Sequence, residues 1–228
     1  TAGARLITGK YLHLNQNAAE NNDSNIVFDY NNGFHSGTGF STYLSWSFKR
    51  HAGFDVVAYK GNQTAGHQIR HSLNKIPQMI WCKARNTGGS TEHWGVYHEG
   101  ISGTGKSIFL NLSNAATGSM FNGTTPTSTY FELSNDFRTN GPYNYIAMLF
   151  ASVDGISKVG SYTGSGSSNT QTISTGFAPR FVIIKDYTAN SNPWYVLDTT
   201  RGWGSGNDLI LQLNASDAQL TGNDWGAP

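Results

Sequence analysis

Four aromatic residues in the C-terminal third have the types and positions best suited to holding a ligand. Trp203 and Trp225 lie in Gly-rich stretches, and Tyr187 and Tyr195 flank a polar segment. An aromatic ring with a polar handle can stack on a sugar ring while neighbouring polar groups hold the hydroxyls. We therefore predict a weak carbohydrate-binding face formed by these four residues.

Metal binding has two candidates, and both have simpler explanations. His67 and His71 have the spacing of a helical metal pair, but their context is that of a strand with no Glu or Cys partner. The loop 20–25 is rich in Asn and Asp oxygens, which Ca²⁺ prefers, yet Asx-turn hydrogen bonds explain such a loop equally well. No cofactor is therefore predicted, the metal assignment stays open, and Ca²⁺ is the alternative.

The composition indicates an all-β protein without a disulfide framework. Gly contributes 27 of 228 residues, and charged and aromatic residues each make up 13%. Strong helix formers are scarce, so short strands joined by polar turns are expected. The net charge of +1 gives no general attraction to nucleic acid, and no apolar stretch is long enough to span a membrane. Cys82, the only cysteine, lies in an apolar run and is predicted to be a buried, inert thiol.

Several landmarks recur in the same order at a spacing of about 100 residues, which predicts an internally duplicated unit. The matched segments are Leu12–Asn15 with Leu110–Ser113 and Leu211–Asn214, Tyr43–Phe48 with Tyr145–Phe150, Pro77–Lys83 with Pro179–Lys185, and Trp94–Tyr97 with Trp194–Leu197. Residues 1–50 then form the C-terminal half of one unit, 51–150 a full unit, and 151–228 a second, truncated unit. A chain that begins and ends inside this pattern suggests a piece of a longer or processed polypeptide.

The matched segments are predicted to be strands. Leu44, Trp46 and Phe48 alternate with polar residues, and residues 181–184 form a continuous apolar run. Short helices are considered only at 15–20 and 215–220. Many short strands with Gly-rich turns indicate a β-sandwich or jelly-roll arrangement of lectin-like type, packed as one or two sandwiches.

These segments resemble a unit found in large structural proteins of tailed bacteriophages. The resemblance rests on Pro77–Lys83, Trp94–Tyr97, Leu110–Ala116, Gly33-Phe34, Tyr43–Lys49 and Gly53–Tyr59, and it covers nearly the whole chain. It implies a tail-fibre or other virion-surface component with no assigned catalytic residues. An Asp-x-x-Arg-Gly element common in that unit occurs once, as Asp198–Gly202, and His98–Gly100 stands at the matching place.

Catalysis is the alternative, because a glycosidase needs two carboxylates about 5–10 Å apart. The 14 acids include Glu92, Glu99, Glu132, Asp154, Asp186 and Asp198, and none of these six recurs between matched segments. We therefore expect a non-enzymatic virion structural protein that binds other virion proteins, forms homo-oligomers and contacts host-surface glycans. A depolymerase or a stand-alone lectin remains the other interpretation.

Overall fold

Short antiparallel strands dominate the computed structural model, which describes residues 1–30, 33–36, 43–101, 106–166, 171–204 and 206–223. In chain order the strands are β1 (Lys10–Tyr11), β2 (Asn21–Asn22), β3 (Ile26–Tyr30), β4 (Gly33–Ser36), β5 (Phe54–Lys60), β6 (His67–Arg70), β7 (Met79–Ala84), β8 (Gly95–His98), β9 (Lys106–Phe109), β10 (Thr117–Ser119), β11 (Tyr130–Leu133), β12 (Asn144–Phe150), β13 (Phe181–Ile184), β14 (Tyr195–Asp198), β15 (Asp208–Gln212) and β16 (Leu220–Asn223). A 3₁₀ turn spans Arg5–Ile7, and the short helix α1 spans Phe137–Asn140.

Six of these strands form the first sheet, in the order β10-β9-β8-β7-β12-β5. In β12, Ile146, Met148 and Phe150 face one side, and Ala147 and Leu149 face the other; all five are buried. A strand covered on both faces needs such a continuous apolar run, whereas a half-exposed strand would alternate.

The antiparallel pair β6–β11 covers one face of the first sheet. Ile69, Phe131 and Leu133 of this pair join Ile80 and Leu149 of the sheet in one buried cluster. The structure is therefore an all-β sandwich, and the predicted fold class is confirmed.

The second sheet, β13-β14-β15-β16, lies on the other face of the first sheet. Ile183, Trp194 and Leu213 share a core cluster with the first sheet and with Ile7 and Leu12 of the N-terminal residues. The outer face of the second sheet carries a smaller cluster made of Val182, Ile184, Tyr195, Leu197, Trp203 and Ile210.

The two sheets repeat the same strand order and register over three strands. The directly opposed residues are Trp81–Val96–Ile108 in the first sheet and Ile183–Val196–Leu211 in the second. This equivalence is the structural counterpart of the matched sequence segments. Descent of both from one duplicated unit remains a prediction.

Tyr43–Phe48, predicted to be a strand, is not one. Its side chains do reach β13, since the Trp46 and Phe48 rings lie 5.3 and 6.0 Å from the Phe181 ring between centroids. Phe48 also contacts Phe54 and Phe150 of the first sheet. Side-chain packing between two sheets holds this segment without placing its backbone in a ladder, so the apolar alternation does not mark a strand here.

The two helix candidates are also wrong, because residues 15–20 and 215–219 are irregular. In the first of them, the Glu20 N–H bonds to the Arg85 carbonyl and the Asn17 carbonyl accepts from Lys83. These tertiary bonds take the place of intrahelical ones. The helix that does form, α1, begins after Asp136, whose carboxylate accepts from the Arg138 N–H at 2.8 Å.

Cys82 is fully buried in β7, as predicted. Burial raises the pKa of its thiol to about 12, and the hydrogen bond with Tyr59 acts in the opposite direction. A thiol that stays protonated at physiological pH is a poor nucleophile, so Cys82 serves packing.

Replacing Phe131 with Ala tests whether the β6–β11 pair packs on the first sheet. Phe131 is 1% exposed, so Phe131→Ala should lower the free energy of unfolding by about 3–5 kcal/mol. The matched control is Phe137→Ala, because Phe137 is 51% exposed and its removal should cost within about 0.5 kcal/mol. Urea denaturation of both variants measures the difference, and equal losses would contradict the described packing.

Candidate functional site

Three hydrogen bonds fasten the N-terminal segment, residues 10–20, to the first sheet. The indole Nε1–H of the fully buried Trp94 donates to the His13 carbonyl at 2.8 Å. The Lys83 ammonium donates to the Asn17 carbonyl at 3.1 Å. The Glu20 backbone N–H donates to the Arg85 carbonyl at 2.9 Å. We call this set of contacts the first joint.

The same three bonds recur between residues 106–116 and the second sheet. Trp194 Nε1 donates to the Phe109 carbonyl at 2.8 Å, and Lys185 Nζ donates to the Ser113 carbonyl at 3.4 Å. The Ala116 N–H donates to the Tyr187 carbonyl at 2.8 Å. We call this set of contacts the second joint. In both joints an indole and an ammonium come from one sheet and bind backbone carbonyls of the segment that precedes it in the chain. The sheets are thus joined head to tail by one recurring set of contacts.

The joints also define which residues are equivalent. The Asn111 side-chain oxygen accepts from the Trp94 backbone N–H at 3.1 Å, and Asn214 does the same for Trp194 at 2.8 Å. Leu110-Asn111 is therefore equivalent to Leu213-Asn214, whereas the Leu-x-Leu pattern aligned Leu110 with Leu211. By the same contacts Leu110 corresponds to Leu14, two residues beyond the Leu12 of the sequence alignment.

Lys83 is an unusual residue to find fully buried, and its surroundings explain it. Its ammonium donates to the carbonyls of Asn17, Ala84 and Glu92, at 3.1, 3.1 and 2.9 Å. Burial lowers the pKa of Lys83 to about 8, with the Glu92 carboxylate acting in the opposite direction. The group is therefore still charged at neutral pH, and its three protons are used to satisfy buried carbonyls.

Lys185 is its counterpart in the second sheet, where burial also lowers the pKa and Asp186 opposes that shift. Besides Ser113, it donates to the carbonyl of Asp186, the residue that follows it, as Lys83 donates to Ala84. A lysine with a depressed pKa can act as a nucleophile, but these two ammonium groups are committed to backbone carbonyls. The arrangement suits holding parts together rather than attacking a substrate.

The first joint carries an ionic network that the second joint lacks. Glu20 accepts from Lys10 Nζ at 2.7 Å and from Arg85 Nε at 2.8 Å, and its side chain is only 10% exposed. In the second joint Ala116 occupies the position of Glu20, and Tyr187 that of Arg85. Charge therefore distinguishes two joints that are otherwise built alike.

A separate cleft of about 170 Å³ lies where the 44–46 segment meets the second sheet. Its walls are formed by Leu44, Ser45, Trp46, Arg180, Phe181, Asp198 and Thr200. The Asp-x-x-Arg-Gly element contributes Asp198, which forms a buried ion pair with Arg201 at 2.7 Å. Trp46 Nε1 donates to the same carboxylate at 3.2 Å.

The cleft combines an aromatic wall with charges of both signs. Burial tends to raise the pKa of Asp198, but the bonds from Arg201 and Trp46 outweigh it and leave the pKa lowered. The Asp198 charge is thus balanced by Arg201, and the exposed Arg180 has no salt bridge among the described residues. A half-buried Trp beside a free guanidinium is able to hold a polar ring such as a sugar.

Three of the four predicted ligand residues lie within the described residues, and they belong to two different clusters. Trp203 is 9% exposed and packs in the outer cluster of the second sheet, where Tyr195 is half-buried beside it. Tyr187 packs on the other cluster, between the sheets, and its carbonyl belongs to the second joint. Trp225 lies outside the described residues. Trp203 is therefore a core residue, because the Gly-rich loop that carries it folds back over the sheet.

The predicted metal ligands have other partners. His67 Nδ1 lies 2.9 Å from the Asn140 side-chain oxygen, and His71 Nε2 lies 3.2 Å from the Thr127 carbonyl. In the 20–25 loop, Asp23 accepts from the Asn25 N–H at 2.9 Å, which is the Asx turn offered as the simpler explanation. Within the described residues, no three His, Cys, Asp or Glu side chains come together to share a metal ion.

Among the candidate acids, Glu92 has the environment closest to that of a proton donor. Burial raises its pKa, repulsion from Asp136 adds to this, and Arg138 and Lys83 oppose it. Glu132 differs, since hydrogen bonds from Gln68 and others lower its pKa. Glu92 is thus the residue to change when hydrolysis is tested.

Sequence reasoning missed the joints, although their donors were visible in the matched segments. Lys83 and Lys185 each end an apolar strand, and a charge retained in two apolar contexts is a signal of buried hydrogen bonding. Their acceptors are backbone carbonyls, which carry no residue-type signal. The pairing could therefore be found only in three dimensions.

The chain belongs to the family described as domain of unknown function DUF7483, whose model matches residues 7–225. No curated protein and no solved structure matches the chain significantly. Within the described residues, no helix has the length and apolar character needed to cross a membrane.

Lys83 should make stability depend on pH. The folded-state pKa of about 8 lies below the ordinary value of 10.5, so between them the unfolded chain binds more protons and stability rises with pH. From pH 8 to pH 9 the wild type should gain free energy of unfolding relative to Lys83→Met, by at most about 1.4 kcal/mol.

Urea denaturation across pH 7–9.5 measures this difference, and Lys75→Met, at an exposed loop position, is the matched control. Cys82 and the buried tyrosines titrate in all three proteins, so their effect cancels. If wild type and Lys83→Met differ by the same free energy of unfolding across this pH range, the lowered pKa of Lys83 is contradicted.

Proposed function

We propose that this member of the DUF7483 family is a non-enzymatic structural protein of a virion surface, a tail-fibre or appendage component that contacts host glycans. The observation that carries the proposal is the recurring joint, in which indole and ammonium groups of each sheet bind backbone carbonyls of the segment that precedes it in the chain. Such joints build a rigid scaffold, and a surface appendage needs one. The resemblance of the repeated segments to phage structural proteins supplies the virion context.

The use made of buried charges supports a structural role. Lys83 and Lys185 serve backbone carbonyls, and the Asp198–Arg201 and Asp55–Arg50 pairs tie loops to strands. An active site usually keeps a charged group available for chemistry. In this structure the charged groups named above bind backbone carbonyls or each other and so stabilise the fold.

The cleft beside Asp198 is the proposed glycan contact. Trp46 offers a partly exposed ring, and Arg180 and Thr200 offer donors at the rim. Its volume suits a single sugar ring, so an individual site would bind weakly. Weak sites become effective when many copies act together on one particle.

Localisation on particles tests the virion assignment. Antibodies raised against the purified chain should label the surface of virions from the virus that encodes it, in immunogold micrographs. Absence of label on intact and on disrupted particles would overturn the assignment.

Glycan binding should depend on Arg180. Arg180→Gln is expected to weaken binding to host-surface polysaccharide by roughly tenfold, the loss typical of one charge-assisted hydrogen bond. Arg70→Gln, at an exposed position on β6 away from the cleft, is the matched control and should bind as the wild type does. Glycan arrays followed by calorimetry measure both.

The same polysaccharides test the non-enzymatic assignment. No reducing ends should appear on incubation with the protein. Release of reducing ends that is lost in Glu92→Gln would overturn it in favour of a depolymerase.

A further inference from the structure

The part of the chain that the structure describes has three segments that can accept a joint and two sheets that donate one. The acceptor segments are 10–20, 106–116 and 209–219, and they are equivalent by the bonds of Asn111 and Asn214 described above. The first is held by Trp94 and Lys83, and the second by Trp194 and Lys185. Within the described residues, the third has no indole or ammonium bound to its carbonyls.

The third acceptor is also the most exposed. Ala116, which closes the second joint, is half-buried, whereas the equivalent Gln219 is exposed, as are residues 216–221 as a whole. Leu213 is half-buried, as is the equivalent Leu14 of the filled first joint, so the difference lies in residues 216–221. The surface that a further sheet would cover is thus open.

Accepting a joint does not require an acceptor to leave its own sheet. Residues 106–109 and 117–119 remain paired as β9 and β10 while the intervening loop receives the second joint. The third acceptor is built in the same way, between β15 and β16. It can therefore receive a joint without refolding.

We propose that a second copy of this chain docks its Trp94–Lys83 face on the third acceptor, in place of its own N-terminal segment. Trp94 Nε1 would then donate to the Gln212 carbonyl, Lys83 Nζ to the Ser216 carbonyl, and the Gln219 N–H would donate to the Arg85 carbonyl. These are the atoms that correspond to the two joints already formed.

The resulting contact is heterologous, so it propagates head to tail and yields open chains or rings rather than a closed two-fold dimer. Head-to-tail assembly holds whether or not the protein belongs to a virion, because it depends only on these contacts.

The N-terminal segment acts as an internal competitor. It is tethered to its site, which gives it an effective concentration of the order of millimolar. The ion pairs of Glu20 with Lys10 and Arg85 further favour the N-terminal segment over the third acceptor of a second copy, which has the neutral Gln219 at the position of Glu20. The wild-type chain at micromolar concentration therefore stays closed on itself.

Exchanging these charges between the two segments tests the proposal. Glu20→Lys sets three cations together and should release the N-terminal segment, while Gln219→Glu offers a carboxylate to Arg85 of the next copy. Glu20→Lys/Gln219→Glu should form oligomers that lengthen with concentration. Its association should be roughly tenfold tighter than that of Glu20→Lys alone.

The matched control is Glu20→Lys/Gln219→Lys, which places a cation against Arg85 and should remain monomeric. Gln219 is exposed, but its side-chain oxygen accepts from Arg201 Nη1 at 3.0 Å, so each variant also changes this contact within the chain, and urea denaturation of each variant measures that effect separately. Sedimentation velocity at several concentrations compares them, with circular dichroism to check folding. Equal oligomerisation of the two double variants, or monomers in both when folded, would overturn the proposal.

A second measurement avoids the Glu20 change, in case it unfolds the protein. Gln219→Glu and Gln219→Lys in the wild-type background, at high concentration, are compared by hydrogen–deuterium exchange. Residues 213–221 should gain protection with concentration in the first and not in the second, while residues 171–175 stay unchanged in both. Absence of protection in Gln219→Glu would overturn the proposal.

Discussion

The structure depends on how the carbonyls on either side of each Leu-Asn step are satisfied. His13 and Phe109 precede the step, Asn17 and Ser113 follow it, and a carbonyl left unpaired on burial costs about 1–3 kcal/mol. The chain provides a Trp indole and a Lys ammonium for them, both on long side chains rooted in the following sheet. The hydrogen-bond need of one segment thereby fixes the position of the next sheet.

This solution explains an otherwise costly feature, a lysine with no exposed surface. An ammonium buried without partners would lose its proton or disrupt the core. Lys83 finds three carbonyls within hydrogen-bond distance, and the fall of its pKa to about 8 leaves it charged at neutral pH. The ammonium is thus a cross-link between three backbone carbonyls, and a neutral isostere could fill its volume without replacing its bonds.

The sequence was informative where residue type decides structure and uninformative where backbone decides it. The apolar run 181–184, which forms β13, and the buried Cys82 followed from the sequence pattern. Tyr43–Phe48 has the alternation of a half-buried strand but is no strand, because side-chain packing of Phe48 on Phe54 and Phe181 holds it without a ladder. Trp203 was placed on the surface from its Gly-rich context, yet the loop folds its ring into the outer cluster.

The alignment of the three Leu-Asn segments shows the same limit of apolar patterning. The Leu-x-Leu pattern is more conspicuous than Leu-Asn, so an alignment by apolar residues settles on Leu12 and Leu211. The functional anchor is Asn111 and its counterpart Asn214, whose side chains accept from the backbone of the joint tryptophans. A shift of two residues keeps every side chain on the same face of a strand, and apolar patterning therefore cannot detect it.

Two joints of one design differ in charge, because Ala116 and Tyr187 stand where the first joint has Glu20 and Arg85. Glu20 adds two ion pairs to the first joint, and Ala116 adds none to the second. Apolar burial supports both joints, since Ile7 and Leu12 of the N-terminal residues and Trp194 of the second sheet lie in one core cluster. The ion pairs of Glu20 add to that burial in the first joint. A scaffold made of repeated contacts can in this way keep one geometry throughout while the strength of each joint is adjusted by residues outside the shared hydrogen bonds.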